Sequence, residues 1–378
     1  MRIIDRYVLL LYVKVLLICF FSLAGLYVVI DALGNLDEFA TYGKKHDGGI
    51  AFVLADYYSA RILWFFDRTA GMLAMLSAIF AITIMQRTNE LTALMAAGIS
   101  KSRIIGSLIA ATVVVAGLGV VNREFYLPQV RDKLSRNAQD WLGENARSCT
   151  PRYDIQNDII ISGQNTYAKD KRIEKPLFHL PAELRAWGNQ ITADRAFYRA
   201  AEQGRPAGYL LTGVKQPVEH GQLKSISAKG QPTLFSPGDT PWLKPNECFV
   251  TSVVTFEQVA LGNAWRQQLS TKELISGLAD KTIEPGADVS VTLHSRLIQP
   301  LLDVTLLFLG LPLVLTRGSR NIFAAAGICF GLVGAFFVVE LACHGLGSGY
   351  LLDPTLAAWG PLLVFGPLAF TLSRPIWD

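Results

Sequence analysis

The sequence predicts a helical membrane protein: six transmembrane helices in a 3+3 arrangement, with a large jelly-roll-like all-β domain inserted between helices 3 and 4. Three observations predict this. The chain of 378 residues is 51% hydrophobic and only 17% charged, against roughly 25% charged in an average soluble protein. The charge is segregated, because residues 123–290 hold 40 of the 66 Asp, Glu, Lys and Arg side chains. The apolar ends also divide into stretches near the ~20 residues that a helix needs to cross a bilayer. Disordered, collagenous and disulfide-rich miniprotein classes are excluded by the apolar content and by only five Cys. A net charge of +4 is too small to argue for a nucleic-acid partner.

Six stretches supply the spans. Tyr7 to Ile30 is apolar apart from Lys14, and is too long for a signal-peptide core. Ile62 to Met85 contains Asp67 and Arg68, then runs without charge. Ile104 to Val121 is uncharged, Leu297 to Thr316 holds Asp303, Ile322 to Leu341 holds Glu340, and Leu356 to Leu372 has no charge. Lys and Arg in short loops favour the cytoplasmic side. With the N-terminus inside, the inner segments carry Arg2, Arg6, Arg87, Lys101, Arg103, Arg317, Arg320 and Arg374. The short outer loops carry only Lys44, Lys45 and Arg61. This puts both termini in the cytoplasm and residues 123–290 outside it. The domains are then 1–122 (spans one to three), 123–290 (the external domain) and 291–378 (spans four to six).

The external domain opens with a polar helical extension over 123–150, in which Pro128 predicts a bend. Short apolar runs follow over about 151–268, separated by turn residues. They are Asp158 to Gly163, Gly188 to Ile191, Ala196 to Tyr198, Gly208 to Val214 and Phe249 to Phe256. β-branched and aromatic residues between Gly, Pro and Asn punctuation read as strands of a sandwich or jelly roll. Ser270 to Leu274 reads as a capped short helix leading to a linker. Cys149 and Cys248 are the only cysteines of this domain. An oxidising compartment permits a bridge between them, and two unpaired thiols fit the sequence equally well.

Enzyme chemistry is poorly represented. The sequence has no Gly-x-x-x-x-Gly-Lys-Ser/Thr loop, no His-Glu-x-x-His, no Cys-x-x-Cys and no Gly-x-Ser-x-Gly. The five His are scattered. Transport, tethering or scaffolding are therefore the stronger classes.

The loop between spans two and three is the most informative segment. Thr88 or Asn89 can cap a helix, where Glu90 suits the dipole. Leu91, Leu94 and Met95 share one face at i, i+3 and i+4. Gly98 suits the position after the helix. The product is a short stiff helix over about 89–98 with an apolar stripe and one acid. A permease driven by a separate ATPase needs such a contact; an amphipathic helix lying in the headgroups fits the pattern as well.

The run Asn89-Glu90-Leu91-Thr92-Ala93-Leu94-Met95-Ala96-Ala97-Gly98-Ile99-Ser100 resembles the signature loop of the LptF/LptG family of lipopolysaccharide-export permeases. Asp5-Arg6-Tyr7, Asn122 to Pro128, His294 to Leu297, Gly310 to Leu313 and Leu356 to Pro361 resemble other family segments. Ile191 to Ala196 is similar to a weak motif of the family's β-domain. The resemblance implies an inner-membrane permease subunit of an ATP-driven ABC transporter that extracts lipopolysaccharide and passes it to a periplasmic bridge. It implies a second LptF/LptG-type subunit, an LptB-type ATPase dimer that binds ATP and Mg, LptC-type and LptA-type periplasmic proteins, and no cofactor on this chain. Asn89, Glu90, Leu91, Leu94, Met95 and Gly98 would then form the ATPase coupling site. Asp67-Arg68-Thr69 stands where many members carry prolines, and Asp31, Asp37 and Glu38 stand where some G-type members are basic. The F-like or G-like identity is left open.

Ionisable residues within spans are candidate functional residues by default. Lys14 reads as a side chain snorkelling to the inner interface. Arg61, Arg68 and Arg296 fall near the outer ends of spans, where a planar guanidinium suits lipid phosphate. Asp67 and Asp303 read as neutralising partners, with Asp67, Arg68, Arg296 and Asp303 pairing among themselves. Gly327 and Gly331 form a small-xxx-small pair for close helix packing, within the chain or against another subunit. Against the permease reading stand a membrane-anchored periplasmic scaffold without transport activity and, more weakly, an enzyme acting on lipid headgroups.

Overall fold

A computed structural model describes residues 3–45, 48–134, 138–140, 144–202, 205–218, 221–228, 230–279, 286–317 and 322–377. Arg2 and Arg320 of the inner charge count lie outside the described residues. The helices up to the external domain are α1 (Ile3–Gly34), α2 (Leu36–Lys45), α3 (Gly49–Arg87), α4 (Glu90–Ala96), α5 (Lys101–Val121) and α6 (Leu127–Leu134). Eleven strands follow: β1 (Arg147–Ser148), β2 (Arg152–Asp154), β3 (Ile159–Ser162), β4 (Asn165–Tyr167), β5 (Arg172–Glu174), β6 (Leu177–His179), β7 (Gln190–Arg199), β8 (Gly208–Gln216), β9 (Ile226–Ala228), β10 (Gln231–Phe235) and β11 (Glu247–Thr251). Then come α7 (Phe256–Leu261), α8 (Thr271–Ala279), α9 (Ala287–Arg317), α10 (Ile322–Ser348) and α11 (Pro354–Trp377). The chain divides into two units, one of Met1–Val130 with Pro285–Asp378 and one of Arg131–Glu284.

In the helical unit, Ile3–Gly34, Gly49–Arg87, Lys101–Leu134, Phe330–Ser348 and Pro354–Ser373 are long and apolar enough to cross a membrane. The expected fourth span lies in α9, a sixth long helix of 31 residues. The core of this unit runs through α3 and α9. Met75, Ile79, Ile82 and Met85 from α3 pack with Leu302, Leu306, Leu309 and Val314 from α9. Tyr12 of α1 enters the same core, and its hydroxyl donates to the Ala74 carbonyl at 3.3 Å. The outward faces of α1 and α10 remain apolar and exposed, as at Ile18, Phe21, Phe330 and Val338. Such surfaces suit lipid.

Pro128, where a bend was expected, is preceded by a widened turn, a feature at which helices kink. A π-helical turn, Asn122–Tyr126, joins α5 to α6, and the chain stays helical through Pro128. Proline has no N–H to give to the preceding turn, and a turn with one extra residue accommodates that loss.

In the other unit, all eleven described strands form one antiparallel network. Its main path is β1-β4-β5-β7-β8-β11-β10-β9. β7 is forked: its first part pairs with β6 (Phe178↔Ile191) and its second part with β5 (Ile173↔Ala196). Along β3, Ile159 and Ile161 are buried while Ile160 is exposed, the period-two alternation of a half-buried strand. The core gathers Ile173, Phe178, Trp187, Ile191, Tyr209, Leu211 and Val250. Two expectations need correction. The separate runs at 188–191 and 196–198 are joined in one ten-residue strand that starts at Gln190. The strand expected to reach Phe256 stops at Thr251, because Thr255 and Gln258 form a capping box that starts α7. Ser270 caps α8 as expected, with the Glu273 N–H donating to Ser270 Oγ at 3.1 Å and the Ser270 N–H to Glu273 Oε2 at 2.8 Å.

Candidate functional site: a helical knob and a cluster of charges

α4 is framed by two residues with left-handed backbone. Asn89 has φ 61° and Gly98 φ 81°. Asn is among the few residues that accept this conformation readily, and it lets α3 turn directly into α4. Neither side chain expected to cap the helix does so. Asn89 makes no capping bond, and the Thr88 hydroxyl donates back to the Ile84 carbonyl at 3.0 Å. At the other end, the Gly98 N–H donates to the Met95 carbonyl and the Ile99 N–H to the Leu94 carbonyl, both at 3.0 Å. This is a Schellman closure, with Gly98 where the sequence placed it.

The apolar stripe faces inward. Leu91 is 6% exposed and belongs to the core with Met85, Ile104 and Ile105. Leu94, Met95 and Ile99 pack against that core. Of the apolar residues expected at the ATPase contact, Leu91 is buried in this chain's own bundle, and Leu94 and Met95 are half-buried against it. The face left exposed is Thr92, Ala93, Ala96, Ala97 and Gly98. Glu90 Oε2 accepts from the Tyr7 hydroxyl at 2.6 Å. Close by in the chain, Arg103 forms a two-pronged pair with Asp5, both bonds at 3.2 Å.

A second group of polar side chains lies where α3, the α5–α6 junction and α9 come together. Arg123 Nε donates to Asp67 Oδ1 at 2.9 Å, with side-chain exposures of 16% and 10%. Asn122 Nδ2 donates to the Leu63 carbonyl at 2.9 Å. Gln299 Nε2 donates to Asp303 Oδ1 at 3.2 Å, and Asp303 is buried against Gly71. Arg296 is within electrostatic reach of Arg123, Glu124, Asp67 and Arg68. Asp303 is within reach of Arg123, Glu340 and Asp67. Asp67, expected to pair within the group Arg68, Arg296 and Asp303, makes an ion pair with Arg123, which the sequence reading did not include. Sequence reading missed Arg123 because it follows the last apolar residue of its span and looks like the start of the wet domain. Its adjacency to an apolar stretch, opposite a span that carries a lone Asp, was the available signal.

Arg61 stands apart from this cluster. Its guanidinium lies 3.5 Å from the centre of the Tyr57 ring, a cation–π contact. Tyr58, one residue on, donates to Asp31 Oδ2 at 2.8 Å. Arg68 lies 5.9 Å from the Trp64 ring. The three arginines expected near lipid headgroups thus fall into two groups, Arg68 with Arg296 and Arg61 among tyrosines. Lys14 is exposed on α1.

The family model of the lipopolysaccharide export system permease LptF/LptG matches residues 6–375. The chain belongs to the LptF/LptG family. No curated protein matches it. As a member, it is a permease of the lipopolysaccharide export system, an inner-membrane transport component rather than a catalyst. The apolar helices of this permease fit that setting, and its β-unit is consistent with a periplasmic region.

Two further residue pairs of the permease are placed by the structure. A Cβ added at Gly327 or Gly331 of α10 would meet nothing within 4 Å among the described residues. Cys149 and Cys248 are free thiols, and the bridge that the sequence permitted is not formed. Cys248 sits in β11 opposite Leu211, fully buried, and Cys149 packs at the edge of the same core. Burial pushes the Cys248 thiol up to about 12 and that of Cys149 up to about 11. Both act as small apolar side chains.

Proposed function

We propose that this permease is one subunit of an ATP-driven ABC transporter that extracts lipopolysaccharide from the inner membrane and passes it to a periplasmic bridge. The observation that carries the reading is α4, a short helix fixed to the core by Leu91, Leu94 and Met95 with a face of small residues exposed. A helix held in this way passes force to the bundle instead of tipping. Its exposed face, Thr92, Ala93, Ala96 and Ala97, would enter a groove on an LptB-type ATPase dimer, with Glu90 at its edge. ATP and Mg belong to that dimer, and this chain supplies no catalytic group. A second LptF/LptG-type subunit would complete the permease, and LptC-type and LptA-type proteins would receive the lipid. The excess of inner Lys and Arg supports cytoplasmic termini, with the β-unit in the periplasm. Arg61, Arg68 and Arg296 are the proposed contacts for lipid phosphates, whose oxygens suit a guanidinium fork.

The test is copurification in detergent with an LptB-type ATPase, followed by lipopolysaccharide release from proteoliposomes on adding ATP. Ala93→Trp, which fills the exposed face, is expected to abolish ATPase association and release together. Full association and release by that variant would sink the coupling role of α4. A periplasmic scaffold, in contrast, would keep its function in the isolated β-unit.

A further inference from the structure

We propose that Tyr7, together with the Asp5–Arg103 pair, makes α1 follow α4, so that a push on α4 becomes a movement of the first span. The inference rests on the reading of α4 as the ATPase contact and adds where the motion goes.

Two ties hold the start of α1. The Tyr7 hydroxyl donates to Glu90 Oε2 at 2.6 Å, and the bond to an ionised acceptor is stronger than a neutral one. Arg103 Nε and Nη2 donate to the two oxygens of Asp5 at 3.2 Å each. Arg103 lies in the first turn of α5, directly after the Schellman closure of α4. Asp5 and Tyr7 are two residues apart, hence about 200° apart around the helix. One tie on each side resists both rotation and sliding of α1. Between them, Val8 is fully buried in the core.

Beyond this end, α1 is held along one face, where Tyr12, Val15 and Ala24 are buried, and is open on the other. Leu10, Val13, Leu17, Ile18 and Phe21 are all exposed. A span packed along one face only can slide along that face when its end is moved. Glu90 is suited to the junction. One carboxylate oxygen serves Tyr7, and among the described residues nothing bonds Oε1. A carboxylate accepts several donors at once, so a cation on the ATPase can bind Glu90 without displacing Tyr7. Tyr7, Asp5 and Arg103 are positioning residues, because they act on transport only through α1 and α4.

The experiment uses the full chain, reconstituted with its partner subunit and ATPase, and reads ATP turnover and lipopolysaccharide release in the same vesicles. Tyr7→Phe is expected to leave ATPase association and turnover intact while release per ATP falls about fivefold. Arg103→Asp should uncouple further, and the reversal Asp5→Arg with Arg103→Asp should restore release per ATP. An unchanged ratio in Tyr7→Phe overturns the proposal. So does loss of the ATPase itself in that variant, which would make Tyr7 part of the docking site. If the native chain fails to bind any ATPase, the reading of α4 fails first and is seen to fail without any variant.

Discussion

The carboxylate of Asp303 lies in the space that a side chain at Gly71 would need. The next contact along the same seam repeats the device in reverse. A Cβ on Gly310 of α9 would stand 2.7 Å from Ile79 Cδ1 and 2.9 Å from Met75 Sδ of α3. Each helix contributes one glycine to let the other's side chain in. The closeness of α3 and α9 therefore depends on two hydrogen atoms in place of two methyl groups.

Gly71→Ala is expected to destabilise the permease by about 1–3 kcal/mol, the usual cost of overpacking. The Tm in detergent should fall. Adding Asp303→Ala should recover more than half of the loss by vacating the contested space. An unaltered Tm in Gly71→Ala would show that the seam yields.

The Asp67–Arg123 pair should behave as a buried ion pair. Arg123→Ala leaves the carboxylate without its hydrogen-bonded partner and is expected to cost roughly 1–3 kcal/mol, whereas replacing both residues by neutral isosteres should cost less. A thermal-shift double-mutant cycle checks this. Additive losses would mean that the two side chains do not depend on each other.

On α4, stability and coupling should separate by face. Leu91→Ala removes a core side chain and is expected to cost about 2–5 kcal/mol. Ala96→Trp, on the exposed face, should leave the unfolding free energy within about 0.5 kcal/mol of the native chain while blocking ATPase association. If Leu91→Ala kept full thermal stability, the stripe would not be part of the core.

Glu257 supplies a pH test in the β-unit. Burial opposes its ionisation, but the Lys171 ammonium at 2.7 Å and hydrogen bonds from its own backbone N–H and the Thr255 side chain hold its carboxyl below the usual range. A depressed folded-state pKa stabilises the fold above the unfolded value near 4.3. That contribution is lost as pH falls through the folded value. Lys171→Met should raise the acid-unfolding midpoint of the β-unit, read from its near-UV circular dichroism in the full chain. A midpoint that stayed in place would remove Lys171 from the account.

Legibility in the sequence followed the strength of the local signal. The long helices were readable because hydrophobic runs of this length have few other uses. β7 was read as two pieces because Asp194 and Arg195 interrupt it, yet both residues point away from a core that Ala193 and Ala196 enter. The periodicity of α4 established that one face is covered, but periodicity carries no information about what covers it. Here the answer was Met85, Ile104 and Ile105 of the same chain. Arg123 was hidden for a related reason. The position of a charge along a sequence shows that it needs a partner, whereas its partner Asp67 lies 56 residues away.

The widened turn at Asn122–Tyr126 has a genetic consequence. It carries one residue more than an α-helical turn, so it is the one place in this segment where losing a codon could leave a continuous helix behind. The deletion would turn the widened turn into an α-helical one and leave the side chains beyond it close to their present directions. Pro128 would lose the extra room that its missing N–H uses. A chain shortened there by one codon should keep its helices and their register, whereas a one-residue deletion elsewhere in α5 turns every later side chain by about 100° and should fail to pack.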